Sequence, residues 1–231
     1  MNKLVLSALT VAVLLTSSVP LYAEQDSYPW LTVRRYEGVT DTKEAARVVQ
    51  EGLVPLISKL PGFIAYNYVD AGNGVVISVS VYTNKGAEEE SNRVAEDFAK
   101  ERMTHLYPTP PRITAGHVVA TAPKGVSLSA EEESHPWLAF RRYEGVTDTK
   151  KAAQVVQEGF VPLISKLPGF ISYYWVDAGN GVMISVSTYT NKEAEEETIR
   201  IAHDFVEQHM APLLPNPPRV THGHVVAAPK K

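Results

Sequence analysis

The chain matches itself. Shifting the sequence by 107 positions sets Pro29–Ala120 against Pro136–Ala227 without a gap, and 67 of the 92 facing residues are identical. Such units are domain-sized, unlike the roughly 20–50-residue repeats of solenoids and propellers. Whatever fold one copy takes, the other takes too, and a face that one copy leaves uncovered has a near-duplicate on the same chain to cover it. Between the copies, residues 121–135 carry Pro123, Gly125, several serines and the acidic run Glu131–Glu133, the composition of a linker.

Within one copy the pattern reads β-α-β-β-α-β. Trp30 to Tyr36 alternates Leu31 and Val33 with Trp30, Thr32, Arg34 and Tyr36, the period of a strand. Asp41 or Thr42 caps a helix whose apolar positions, Ala45, Val48, Val49, Leu53, Leu56, Ile57 and Leu60, recur at helical spacing. Gly52 and Pro55 inside it predict a kink. After Pro61-Gly62, Phe63 to Asp70 and Val75 to Tyr82 form two antiparallel strands joined through Gly72-Asn73-Gly74. A second helix over about Ala87 to Met103 and a last strand from Ile113 to Ala120 complete the unit.

The amino terminus reads as a secretory signal peptide over residues 1–23. Lys3 precedes an apolar run from Leu4 to Leu15, then polar Ser17 and Ser18, and Ala23 stands ahead of the cleavage point. A run of about a dozen residues falls short of the ~20 needed to span a bilayer. A periplasmic or secreted protein that does not associate with the membrane after signal cleavage is therefore expected. The chain contains no cysteine, which excludes disulfides, thiolate nucleophiles and cysteine-ligated metals. The net charge of −4, with basic and acidic residues interspersed, argues against a nucleic-acid partner.

The element order is that of the ferredoxin-like split unit, an antiparallel sheet with helices on one face. Two such sheets facing each other, with all helices outside, give an α+β fold, a pseudo-dimeric barrel within a monomer. Arg34 to Val39 (RRYEGV), Val54 to Ile57 (VPLI), Leu60 to Phe63 (LPGF), Asp70 to Val75 (DAGNGV) and Thr114 to Val119 (TAGHVV) recur from Arg141 to Val226, the last with His222 for Ala115. In these blocks the chain resembles the antibiotic-biosynthesis-monooxygenase-like dimeric α+β barrels. The resemblance implies the barrel fold. It does not imply one catalytic set, because the superfamily includes cofactor-free oxygenases, haem-degrading enzymes, isomerases and proteins without a known reaction.

If Leu31, Val33, Ile77, Val79 and Val81 pack beneath the helices, alternation turns Trp30, Arg34, Tyr36, Tyr66, Tyr68, Ser78, Ser80 and Tyr82 into the barrel. The second copy turns in Trp137, Arg141, Tyr143, Tyr173, Trp175, Ser185, Ser187 and Tyr189. Such an interior suits a planar, partly anionic organic ligand, with Arg34 or Arg141 stabilising a developing anion. Alternatively the rings fill a small barrel, with the arginines paired to Glu37 or Glu144. His117 and His224 hold equivalent places on the last strands and offer a general base or a haem ligand. His222 and His224 share a strand face, but no third ligand stands at recognisable spacing, so no metal site is expected. Glu88–Glu90 and Glu195–Glu197 read as caps at helix starts, and His203 and His209 as surface residues.

Three functions follow as expectations. One is a small-molecule-binding barrel acting as a cofactor-independent monooxygenase on an aromatic substrate. The alternatives are a haem-binding or haem-degrading barrel and a non-catalytic extracytoplasmic binding protein.

Overall fold

A computed structural model describes residues 29–122 and 136–229. The expected signal peptide and all but the first two residues of the expected linker lie outside these described residues. Those two, Thr121 and Ala122, extend the last strand of the first copy instead.

Each half follows the expected order. In the first, β1 (Trp30–Tyr36) leads into α1 (Thr42–Val48), where the Asp41 carboxylate accepts the Glu44 amide at 2.9 Å and so satisfies a free helix donor. A π-helical turn over Val49–Leu53 connects α1 to α2 (Val54–Ile57). The expected kink is this wide turn, and Pro55 stands at the start of α2, where a missing N–H costs little. Gly52 serves a further purpose, since a Cβ there would lie 2.6 Å from the Phe98 ring. The hairpin β2 (Phe63–Asp70) and β3 (Val76–Tyr82) turns through Asn73 and Gly74 at positive φ. Then come α3 (Lys85–Arg102), capped by Asn84, and β4 (Arg112–Ala122). The second half repeats the series as β5 (Trp137–Tyr143), α4 (Thr149–Val155), α5 (Val161–Ile164), β6 (Phe170–Asp177), β7 (Met183–Tyr189), α6 (Lys192–Phe205) and β8 (Arg219–Ala227).

The eight strands close in the order β1-β3-β2-β8-β5-β7-β6-β4. Every pairing is antiparallel. The seams between the halves are β2 with β8 and β4 with β6, so each half donates its last strand to the other's hairpin. Closure leaves no free sheet edge among the described strands. At the seams the backbones approach so closely that a Cβ on Gly116 or Gly223 would stand 2.0 Å from the carbonyl oxygen of Asp177 or Asp70.

The structure reverses the expected faces of the sheet. Leu31, Val33, Ile77, Val79 and Val81 fill the barrel interior together with Leu138, Ile184 and Val186 of the other half. Tyr66 and Tyr68 instead pack outward against Val49, Leu53, Ile57 and Phe98. Tyr173 and Trp175 do the same against Val156, Phe160 and Phe205. The alternation is right; its polarity is opposite. An eight-stranded barrel has an interior just wide enough for side chains, so branched aliphatics from converging strands fill it. Phe140 and Tyr174 join them there, while Tyr66, Tyr68, Tyr173 and Trp175 occupy the gap between sheet and helices.

Candidate functional site

Because the polar face of the sheet looks at the helices, the chemistry of each half lies in the helix–sheet layer. Arg34, on β1, is 7% exposed. Its guanidinium donates to Ser80 Oγ at 3.3 Å and lies 3.5 Å from the Glu88 carboxylate, which is 1% exposed on α3. Arg141 repeats the arrangement with Ser187 at 3.2 Å and Glu195 at 3.5 Å. The partners expected for these arginines, Glu37 and Glu144, pair instead with Arg35 and Arg142, one residue along and on the opposite strand face. Glu88 and Glu195 are thus buried counter-ions; Asn84 and Asn191 do the capping. Burial pushes the Glu88 carboxyl above its ordinary range, against hydrogen bonds and the attraction of Arg34.

Tyrosines surround this pair in the first half. Tyr68 and Tyr107 share a hydroxyl–hydroxyl hydrogen bond of 2.8 Å, and Tyr36 stacks on Tyr107 with ring centres 4.2 Å apart. Desolvation raises the pKa of Tyr36, Tyr66, Tyr68 and Tyr107. These phenols stay protonated at neutral pH and offer hydrogen bonds rather than phenolate bases. Tyr82 lies deeper and donates to the Ile57 carbonyl at 3.0 Å, a structural bond that also spaces α2 from the sheet.

Arg34, Tyr36 and Tyr107 open onto a cleft of about 520 Å³ between α3 and the approach to β4. Its walls are small or rigid: Ala95 and Ala99 on α3 face Pro108, Pro110 and Pro111, with Lys100 at the rim. Tyr66 and Tyr68 lie behind it around a void of only about 20 Å³, the size of a single water. In the second half Arg141, Tyr143, Tyr173, Trp175 and Tyr189 likewise line a void of about 20 Å³. That layer is filled by its own rings. Leu214 stands where the first half has Tyr107, so the stacked pair and its hydroxyl contact have no counterpart.

The histidines fall elsewhere. His117 faces Trp30 edge-on at 4.4 Å, and Lys85 Nζ lies 5.5 Å above the Trp30 ring. Across the β1–β4 ladder Trp30 pairs with His117 and Arg34 with Ile113, which puts the imidazole about 13 Å along the strand from the arginine. The sequence candidates Arg34 and His117 therefore do not share a site. In the second half Trp137 meets both His222 and His224, with ring centres 5.9 and 4.1 Å away. His222 Nδ1 is 3.4 Å from the buried Glu195 carboxylate, which links the imidazole to Arg141. The first half has Ala115 at that place. His203 and His209 are exposed, as expected. Sequence reasoning missed Tyr107, Glu88, Glu195 and the coupling of His222 to the latter. The available signal was Glu88, Ser91 and Phe98 falling on one face of α3, a carboxylate on the buried stripe.

The histidine candidates for a haem and the cleft beside Arg34 lie apart. The cleft beside Arg34 is lined by no histidine. His222 and His224 line a separate open groove of about 630 Å³ with Trp137 and Lys192. Among the described residues no three His, Asp or Glu side chains converge as a metal site, and no helix is long and apolar enough to cross a membrane.

No protein-family model matches the chain, and among curated proteins no relative is found. Solved structures do share its architecture. A proposed monooxygenase from Fusobacterium nucleatum superposes with a TM-score of 0.70 at 14% identity, over 89% of this chain and 95% of that one. A mutant chlorite dismutase from Candidatus Nitrospira defluvii gives 0.56 at 10% identity, over 87% and 92%. A ferredoxin-fold protein from Listeria monocytogenes, described as related to antibiotic biosynthesis monooxygenases, gives 0.50 at 9%, over 87% and 96%. At these identities the likeness is one of fold.

Proposed function

We propose that this chain, which has the α+β barrel fold of antibiotic-biosynthesis-monooxygenase-related proteins, binds a planar, anionic aromatic molecule in the cleft beside Arg34. The observation that carries the reading is the convergence of a stacked tyrosine pair, a buried guanidinium and proline walls on one cleft of about 520 Å³, a volume within the ordinary range for small-ligand sites. Tyr36 and Tyr107 supply an aromatic wall and Arg34 a guanidinium at the inner end, while Lys100 at the rim is paired with Glu96, 2.7 Å away in the same lining. The reaction this arrangement supports is cofactor-independent oxygenation of an electron-rich phenol. Arg34 would stabilise the substrate's oxyanion, and the protonated tyrosines would hold it in place. The export expected from the amino-terminal sequence would place the protein where reduced nicotinamides and flavins are scarce, in keeping with a reaction that needs none.

The test is a titration with 1-hydroxy-2-naphthoate, a fluorescent planar anion, followed by oxygen uptake with hydroxylated polycyclic phenols. Wild-type protein should bind it saturably. Tyr107→Leu, which installs the residue of the second half, should weaken binding by roughly ten-fold, the scale of one lost ring contact and hydrogen bond. Binding that is absent, or indifferent to Tyr107→Leu and Arg34→Met alike, would remove the cleft as the site. Binding without oxygen uptake would leave a non-catalytic binding protein.

A further inference from the structure

The open end of the barrel carries a charge arrangement that the helix–sheet cleft does not use. Arg35 on β1 lies directly opposite Arg112 on β4, and Arg142 on β5 directly opposite Arg219 on β8. Like charges facing each other across a ladder are destabilising, yet both halves keep them. The four guanidiniums surround one cavity of about 300 Å³ whose lining positions repeat at the 107-residue offset in five pairs, with Val220 in addition, so it sits on the pseudo-two-fold axis between the halves.

Only part of this charge is neutralised. Glu37 pairs with Arg35 and Glu144 with Arg142. Arg112 and Arg219 form no ion pair among the described residues, which leaves the cup with four cations against two anions. Desolvation and the neighbouring guanidiniums lower the pKa of Arg35 and Arg142, and Arg112 acts on Arg142 from across the axis. Beneath the charges lie Val33 and Phe140 of the apolar barrel interior, and beside them the hydroxyl-bearing Thr114 and Thr221. A low-dielectric floor strengthens the field above it. Planar guanidinium forks from opposing directions match oxyanion groups two at a time.

We infer that the mouth of the barrel is a binding site for one compact small molecule carrying two oxyanion groups, a diphosphate or a dicarboxylate, held between Arg112 and Arg219 with Arg35 and Arg142 at its base. One molecule per chain is required, because the axis passes through the cup. The occupant relieves the repulsion within each arginine pair and so ties the two halves together at this end.

Isothermal titration of the full chain with pyrophosphate and, separately, with malonate tests this and distinguishes the phosphate from the carboxylate source. The expected result is saturable binding of at least one of them at one per chain, with a rise in melting temperature that sodium chloride of matched ionic strength does not reproduce. Arg112→Ser/Arg219→Ser should weaken binding by roughly ten-fold or more, the scale of lost charge-assisted hydrogen bonds. Both positions are exposed, so the double variant should fold, which its circular dichroism checks. Acetate, with one carboxylate, should bind far more weakly than malonate. The proposal is overturned if neither dianion binds, if chloride gives the same stabilisation, if the stoichiometry is two per chain, or if the double variant binds as well as the wild type. Because Tyr107→Leu alters the helix–sheet cleft and leaves the four arginines in place, it should not change pyrophosphate or malonate binding, which separates failure here from failure of the cleft reading.

Discussion

A buried carboxylate beside a buried guanidinium decides how each half responds to acid. Glu88 is held above its ordinary value of 4.5 chiefly by desolvation. Between that value and the raised one, the folded protein keeps a proton that the unfolded chain has released, so Glu88 makes stability fall as pH rises through this window. Glu88→Gln removes that slope. The variant loses up to about 3 kcal/mol by leaving Arg34 without its counter-ion, but its deficit relative to wild type should shrink as pH rises through the window and then level off. Urea unfolding of both proteins from below pH 4 to pH 7 measures the difference directly. Exposed carboxylates whose pKa is lowered by arginine or lysine neighbours, such as Glu44, Glu90, Glu96 and Glu197, act equally in both proteins and cancel. A deficit constant across the range would mean that Glu88 is not protonated more readily in the folded protein. The same scale shows what the sequence could and could not disclose. That Arg34, Tyr36 and the serines of β3 share a face is legible from a period of two. Which face turns to the helices is not, because both are buried and alternation carries no sign when neither side meets water. Tyr107 was illegible for another reason: it lies in the turn after α3, outside any periodic segment, and reaches Tyr36 and Tyr68 only through the fold.

At the scale of elements, the helix of each half bends by a π turn that packing requires. In the first half Gly52 lies in this turn against the Phe98 ring, and Gly159 meets Phe205 in the same way, at 2.9 Å from a built Cβ. Replacing an exposed helical glycine by alanine ordinarily gains up to about 1 kcal/mol. Here the methyl group must displace a ring packed between two helices, and overpacking of that kind costs about 1–3 kcal/mol. Gly52→Ala should therefore destabilise the protein, and Phe98→Leu in the same chain should recover part of the loss, a coupling that a double-mutant cycle by thermal or chemical unfolding reads out. Additive losses would show that the glycine is kept for the backbone conformation of the turn instead. Gly52 and Pro55 marked the place of the irregularity in the sequence, since both disfavour regular helix. The form it takes depends on α3 crossing over it. The hairpin through Gly72-Asn73-Gly74 was fully legible, because its positive-φ residues form a local signal independent of the rest of the chain.

The whole molecule is one barrel made by two copies, and its unity does not depend on the peptide that joins them. The halves share two antiparallel ladders, β2 with β8 and β4 with β6, and a single aliphatic core drawn from all eight strands. Separated, each half would expose that aliphatic face and the edges of β2 and β4 or of β6 and β8, an unpaired hydrophobic sheet that water does not tolerate. Proteolytic or engineered cleavage between residues 123 and 135 should accordingly leave two fragments that co-elute in native size-exclusion chromatography. Unfolding of the nicked protein should become concentration-dependent, because refolding is then bimolecular. Gly116→Ala and Gly223→Ala, each forcing a methyl group into the carbonyl across a seam, should weaken the reassociation of the fragments far more than they perturb β1–β3 or β5–β7 within a half. Fragments that part under native conditions, each keeping its own cooperative transition, would show that the halves are independent domains and that the closed barrel is not their stable state. The covalent link then has a different consequence from holding the barrel shut. It fixes one copy of each kind in every molecule, so Tyr107 with its cleft can belong to one half while His222, set against the arginine–glutamate pair that both halves share, belongs to the other. Two identical chains pairing in solution cannot make that division, since every residue would appear on both sides of the axis. A joined pair can keep the four-arginine mouth symmetric, where both halves must meet, and let the helix–sheet layers diverge, where they do not.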